Sequence, residues 1–198
     1  NATAAATKTL SAMSGDRFIA GLGVSHRPAV ESMRGHTYAP PVATMEAYLD
    51  HMAQALNLSK ESATPLRTVL AALGPKMLNL AKTKTDGTLP YLVTPEHTKI
   101  ARAALGPDAF LAVEQAVVLS QDQEVIARRT KDHLQIYTGL DNYKNNWRRL
   151  GFEDEDFIPG GSDRLGNALV VSGGLEEIAE RIGEHRDAGA DHVCLQVL

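Results

Sequence analysis

Apolar and polar positions along this chain fall into two alternating kinds of block. Short, nearly continuous apolar runs lie within residues 16–26 and over 67–73, 87–93, 109–119 and 192–198. Strands buried on both faces have this signature, because helices cover each side of a parallel sheet. Between the runs the period lengthens. Met45, Leu49, Met52 and Leu56 recur at helical spacing, which predicts an amphipathic outer helix whose stripe packs on a core. Helices are likewise expected over 2–13, 76–81, 95–105, 122–137, 141–152, 162–171 and 176–188, with a polar closing segment at 57–65. Repeated strand–helix alternation selects an α/β fold with a parallel sheet of about five strands, either a (β/α) barrel or an open doubly wound sheet. A strand-to-helix G-x-G-x-x-G with a distant acidic residue is missing, which disfavours the dinucleotide-binding version.

Capping signals sharpen the boundaries. Thr94-Pro95 places an N-cap ahead of a proline in the first helical turn, a strong start signal. Ser162-Asp163 has the look of a second cap, and Gly189 suits a helix C-terminus. Pro90 weakens the third strand, since it has no N–H for a ladder. Residues 27–41, with Pro28, Gly35 and Pro40-Pro41, form a loop over the end of the first strand. Glu114-Gln115 interrupts the fourth run; a mid-strand carboxylate is paired, near a ligand, or at a bulge, and the sequence leaves these three open.

With 198 residues the chain has room for one domain, 1–198, with an extra helical segment at about 139–172. A net charge of −4 gives no electrostatic footprint for nucleic acid or an acidic membrane. The lone Cys194 excludes an internal disulfide and fits a cytoplasmic location; within its apolar run it reads as a buried thiol. Seven dispersed histidines and no ligand-spaced motif argue against a metal site. A chain that opens on a helix and finishes on a strand is expected to be part of a larger domain, the missing strands coming from further residues or a partner. Oligomeric state stays open, a homo-oligomer included.

The candidate chemistry sits at strand ends. Gly21-x-Gly23 closes the first run, and Val24, Ser25 and His26 follow it. Glycines there let a flat ligand lie against bare backbone, at the carboxyl edge where α/β folds bind ligands. Gly74-Pro75-Lys76 turns the second strand into a helix whose free N–H groups suit an anion, although a solvated lysine on an ordinary turn explains the same residues. Asn142, Tyr143, Asn145 and Asn146 offer amides and a phenol to a pocket; a solvated connecting helix is the alternative.

Together these segments resemble a known family. Residues 16–26, Ala71-Ala-Leu-Gly-Pro75, Pro90-Tyr-Leu-Val-Thr-Pro-Glu-His97, Asn142-Tyr-Lys-Asn-Asn146 with Arg149-Leu-Gly-Phe152, and Gly189-Ala-Asp-His-Val-Cys194 resemble, in order, the bacterial-luciferase-like superfamily. Within it they are most similar to the actinobacterial coenzyme F420-dependent oxidoreductases. The resemblance implies the later part of a (β/α)₈ TIM barrel, from the helix before the fourth strand to the eighth strand. It implies a hydride exchanged between F420, a deazaflavin, and a small organic substrate. Gly23, Val24 and Ser25 would pass the cofactor ring, and His26 would be the acid/base. Ala72, Gly74, Pro75, Lys76, Val93 and Thr94 would line the cofactor, and Asn142, Tyr143 and Asn146 would meet the substrate. The flavin-binding luciferases of this superfamily tend to carry an arginine where this chain has Val24, which favours F420 over FMN. An FMN-dependent monooxygenase is the enzyme alternative, and a non-catalytic barrel serving as a binding or assembly module is the alternative of another class.

Overall fold

The computed structural model describes residues 1–55 and 66–198. Its elements are α1 (Ala2–Met13), β1 (Ile19–Leu22), α2 (Pro41–Ala53), β2 (Arg67–Leu70), α3 (Pro75–Lys84), β3 (Gly87–Thr88), α4 (Pro95–Leu105), β4 (Phe110–Val118), α5 (Gln123–Leu134), α6 (Asp141–Arg149), α7 (Asp163–Leu169), β5 (Val170–Ser172), α8 (Leu175–Asp187) and β6 (His192–Val197). Every strand pairing is parallel, running β1-β2-β3-β4 with β6 on the far edge of β4. This is an open portion of a (β/α)₈ barrel, one of the two parallel-sheet forms that the alternation allows and the one that the resemblance implies.

Five of these strands answer to the five apolar runs; the sixth is a correction. Residues 170–171, expected as the end of a helix, form β5 with Ser172 and pair with Ala116–Val118. The 87–93 run also shortens to two residues. Pro90 cannot donate to a ladder, though its carbonyl still accepts from the Glu114 N–H. The edge of β4 that β3 vacates is taken up by β5, whose next residue Gly173 donates to the Val118 carbonyl. The loop at 27–41 holds a single π-turn, Ala29–Met33. Leu56 and the polar segment 57–65 lie outside the described residues.

Caps form where the sequence placed them. The Thr94 hydroxyl accepts from the His97 N–H and the Ser162 hydroxyl from the Leu165 N–H, while Asp122 caps α5. Gly87, at φ 157°, allows β3 to approach β4: a Cβ there would stand 1.8 Å from the Phe110 carbonyl oxygen, so no other residue fits.

Two large apolar clusters flank the sheet, beside a small third one of Val117, Val171 and Ile178. One joins Met45 and Leu49 of α2, Leu78 and Ala81 of α3, and Ala101 and Leu105 of α4 to Leu70, Leu111 and Val113. The other gathers Leu134, Tyr143, Trp147, Phe152, Leu165 and Leu169 around Ala116 and Val118. At the amino-terminal end of the sheet, Arg102 knits the chain. Its guanidinium donates to the carbonyls of Gly189, Gly106 and Ala109 and pairs with Asp191 at 2.7 Å. Among the described residues β1 and β6 each have one unpaired edge, and Leu195 and Val197 of β6 are 47% and 72% exposed. No helix among these residues is long and apolar enough to cross a membrane.

Candidate active site

The segments that leave β1, β2 and β3 at their carboxyl ends converge on one hollow of about 640 Å³, within the usual range for small-molecule sites. Gly23, Val24, Ser25 and His26 form one side, and Ala71 through Met77 the floor and far wall. Tyr38 and Val42 close it from the 27–41 excursion and α2, and Tyr91, Asn142, Tyr143, Asn145 and Arg149 from the remaining side.

Local backbone explains this convergence. Ser25 sits at φ 60°, turning the chain sharply as it leaves β1, and its carbonyl accepts from the Tyr38 hydroxyl at 3.4 Å. Gly23 lies flat against the neighbouring strand, where an added Cβ would be 3.4 Å from that of Ala71. Gly74 N-caps α3 with no side-chain cap, and Pro75 fills its first turn. The amino end of α3 therefore faces the hollow with the Lys76 N–H and the positive end of its dipole, Pro75 having no N–H and the Met77 N–H donating to the Gly74 carbonyl. Directly above it, the Arg149 guanidinium nitrogens lie 3.5 and 3.6 Å from where a Gly74 Cβ would sit. A larger residue at 74 would crowd this cation. Arg149 forms no ion pair among the described residues, and Lys76 is exposed beside it.

The remaining wall is aromatic. The half-buried His26 ring leans on Tyr143 with centroids 5.7 Å apart, and Tyr143 packs on Tyr137, Tyr91 and Trp147. The Tyr91 hydroxyl donates to Gln196 at 2.8 Å and accepts from Tyr137 at 3.3 Å. Burial first, and then neighbouring hydroxyls and Glu114, push the Tyr91 and Tyr143 phenols well above their ordinary range. Both stay protonated and neutral at any physiological pH.

Of the residues singled out in the sequence, the hollow brings together Gly23, Val24, Ser25, His26, Ala72, Gly74, Pro75, Lys76, Asn142 and Tyr143. Three fall elsewhere. Val93 is in the core, and Thr94 spends its hydroxyl capping α4. Asn146 is on another face of α6, lining a separate cleft of about 140 Å³ with His97 and Leu150. Sequence reasoning missed Tyr38 and Arg149, and it offered Asn145 to a pocket without separating it from Asn146. The signal was present, because Asn142, Asn145 and Arg149 stand at i, i+3 and i+7 and so share one helical stripe.

A sequence profile of the luciferase-like monooxygenases matches residues 2–192. A curated protein of Mycobacterium tuberculosis, named as a coenzyme F420-dependent oxidoreductase, is 27% identical over 91% of this chain; the match spans 64% of that relative's length. An F420-dependent secondary alcohol dehydrogenase, solved with an F420–acetone adduct, superposes at TM-score 0.70 with 14% identity, over 99% of this chain and 68% of that one. The F420-dependent tetrahydromethanopterin reductase of Methanopyrus kandleri superposes at 0.65 with 16% identity, over 99% and 72%. The EDTA monooxygenase of Chelativorans sp. BNC1 superposes at 0.62 with 14% identity, over 99% and 66%. A backbone that follows these barrels, carrying a profile match across nearly its whole length, makes this chain a member of the luciferase-like monooxygenase family.

Proposed function

We propose that the hollow is the cofactor and substrate site of an F420-dependent oxidoreductase acting on a small organic molecule. The observation that carries this reading is the pairing, in one cavity, of a flat glycine- and aromatic-lined recess with a free cation over a helix amino end. The residues present fit such a cofactor. Gly23 and Ala71 leave backbone bare for a ring, Val24, Leu73 and Met77 give it apolar walls, and Arg149, Lys76 and the first turn of α3 suit an anionic tail.

When bound, F420 supplies or accepts a hydride. The rest falls to this chain. Tyr91 and Tyr143, held neutral by burial, narrow the recess and keep water from the reacting face. His26 stands at the rim against Tyr143, where an imidazole nitrogen can give a proton to a substrate oxygen or remove one. Asn142 and Asn145 orient polar substrate groups from α6.

Titrating the purified protein with F420 and with FMN, followed by the ligand's own fluorescence, tests the reading. F420 is expected to bind more tightly, and Arg149→Ala to weaken it by roughly tenfold or more, the scale of a lost charge-assisted hydrogen bond. His26→Ala should lower turnover far more than affinity. Binding of neither ligand overturns the proposal; tighter binding of FMN replaces F420 with the flavin.

A further inference from the structure

Beneath the aromatic wall lies a carboxyl group that the proposed reaction does not use. Glu114, at the middle of β4, is 6% exposed. Its Oε2 accepts the Leu92 N–H at 3.1 Å, and its Oε1 has no partner among the described residues. Leu92 is itself unusual, a buried non-glycine residue at φ 53°, a backbone state that persists only where its surroundings enforce it. Both of its main-chain groups are held by side chains. Glu114 takes the N–H, and the carbonyl accepts from the indole Nε1–H of Trp147 at 3.2 Å. The residue before Leu92 is Tyr91, on the wall of the hollow; the side chain that grips its carbonyl sits one turn along α6 from Tyr143.

We propose that Glu114 is a positioning residue of the hollow: through Leu92 it fixes Tyr91 and Trp147, and its charge state sets how firmly the aromatic wall is held. A carboxylate accepts a backbone N–H much more strongly than a neutral carboxyl does. The ionised form therefore clamps the turn at Leu92, and protonation slackens it. Burial drives the Glu114 carboxyl up to about 7, opposed only by the Leu92 N–H, so the change of state falls at neutral pH. Facing Glu114 are Tyr91 ahead of α4, Tyr143 on α6 and Cys194 on β6, with Tyr137 beyond the first two. Tyr91, Tyr143 and the thiol stay neutral there, their values being raised by burial. Behind the tyrosines, His133 packs on Tyr91 and Tyr137 and has its pKa lowered by burial, and His26 packs on Tyr143.

The chain carries its own probe, since Trp147 is its one tryptophan. In the ligand-free protein, Trp147 emission is expected to titrate with a midpoint near pH 7 in the wild type and to be flat through that range in Glu114→Gln. A flat wild-type trace, or a titration that survives the substitution and so belongs to another group, overturns the proposal. Should the variant fail to fold, the wild-type Leu92 amide resonance decides: a shift moving with the same midpoint supports the clamp, and an unmoved one refutes it. Because neither readout needs a ligand, the proposal can stand or fall apart from the F420 reading on which its link to catalysis rests. With F420 bound, affinity should be about threefold or more higher at pH 8 than at pH 6, as a preorganised wall requires, and the difference should vanish in Glu114→Gln.

Discussion

Adjacent residues of β4, Glu114 and Gln115, point to opposite faces of the same buried strand and meet opposite fates. Gln115 is fully committed. Its Nε2 donates to the carbonyls of Ala116 and Leu169, and its Oε1 accepts from His185 Nε2 at 3.0 Å. That contact fixes the histidine tautomer, so Nδ1 accepts from the Thr98 hydroxyl at 2.8 Å. One amide thereby ties α4, α7 and α8 to the sheet with no polar atom to spare. Glu114, one residue earlier, leaves an oxygen unspent under the ligand hollow. A buried polar group with every bond made is a fastening; one with a bond left over can still respond to its surroundings.

The comparison is broken most forcefully at Gln115. Gln115→Leu strands two carbonyls and an imidazole N–H in the core, and urea denaturation should show a loss of about 3–4 kcal/mol at every pH from 5 to 8. Less costly, and opposite in sign between the two faces, are the effects of protons. Burial, with Arg181 and His97 nearby, lowers the His185 pKa to about 4. Below pH 6.5 the unfolded chain takes up a proton that the fold refuses, so stability drains between 6.5 and 4 by about 3 kcal/mol. Glu114 runs the other way. Its folded pKa is raised from 4.5 to about 7, so the native state binds the extra proton and stability is lost as pH rises across that interval. Glu114→Gln should accordingly be more stable than wild type at pH 8 by about 1–2 kcal/mol, with the gap closing near pH 5. Thermal denaturation at the two pH values reads this directly. The smallest effect is Thr98→Val, which removes the hydroxyl that donates to His185 Nδ1 and also lies 3.4 Å from the Thr94 carbonyl, and should cost about 1 kcal/mol.

Much of the architecture was legible because parallel strands sealed on both faces leave long apolar stretches, and because Thr94, Ser162 and the prolines mark helix starts chemically. β5 was not, since Val170 and Val171 continue the apolar positions of α7 and three residues are too few to show a change of period. The glycines and His26 beside the hollow could be found from their place at a strand's end. Asn145 and Asn146 were offered alike to a pocket, and polar composition cannot resolve the helical phase that puts Asn145 on the hollow with Arg149 and Asn146 on another cleft. Glu114 was recognised as anomalous, but its three readings could be separated only once Leu92 was seen to bend back across β4.

Arg102 gives the molecule a division of labour by altitude. The foot of the barrel hangs on one planar cation that gathers backbone carbonyls and a carboxylate, a grip that lysine's single ammonium cannot reproduce. Engineers who diversify the rim while sparing the foot would be exploring new chemistry on a settled foundation.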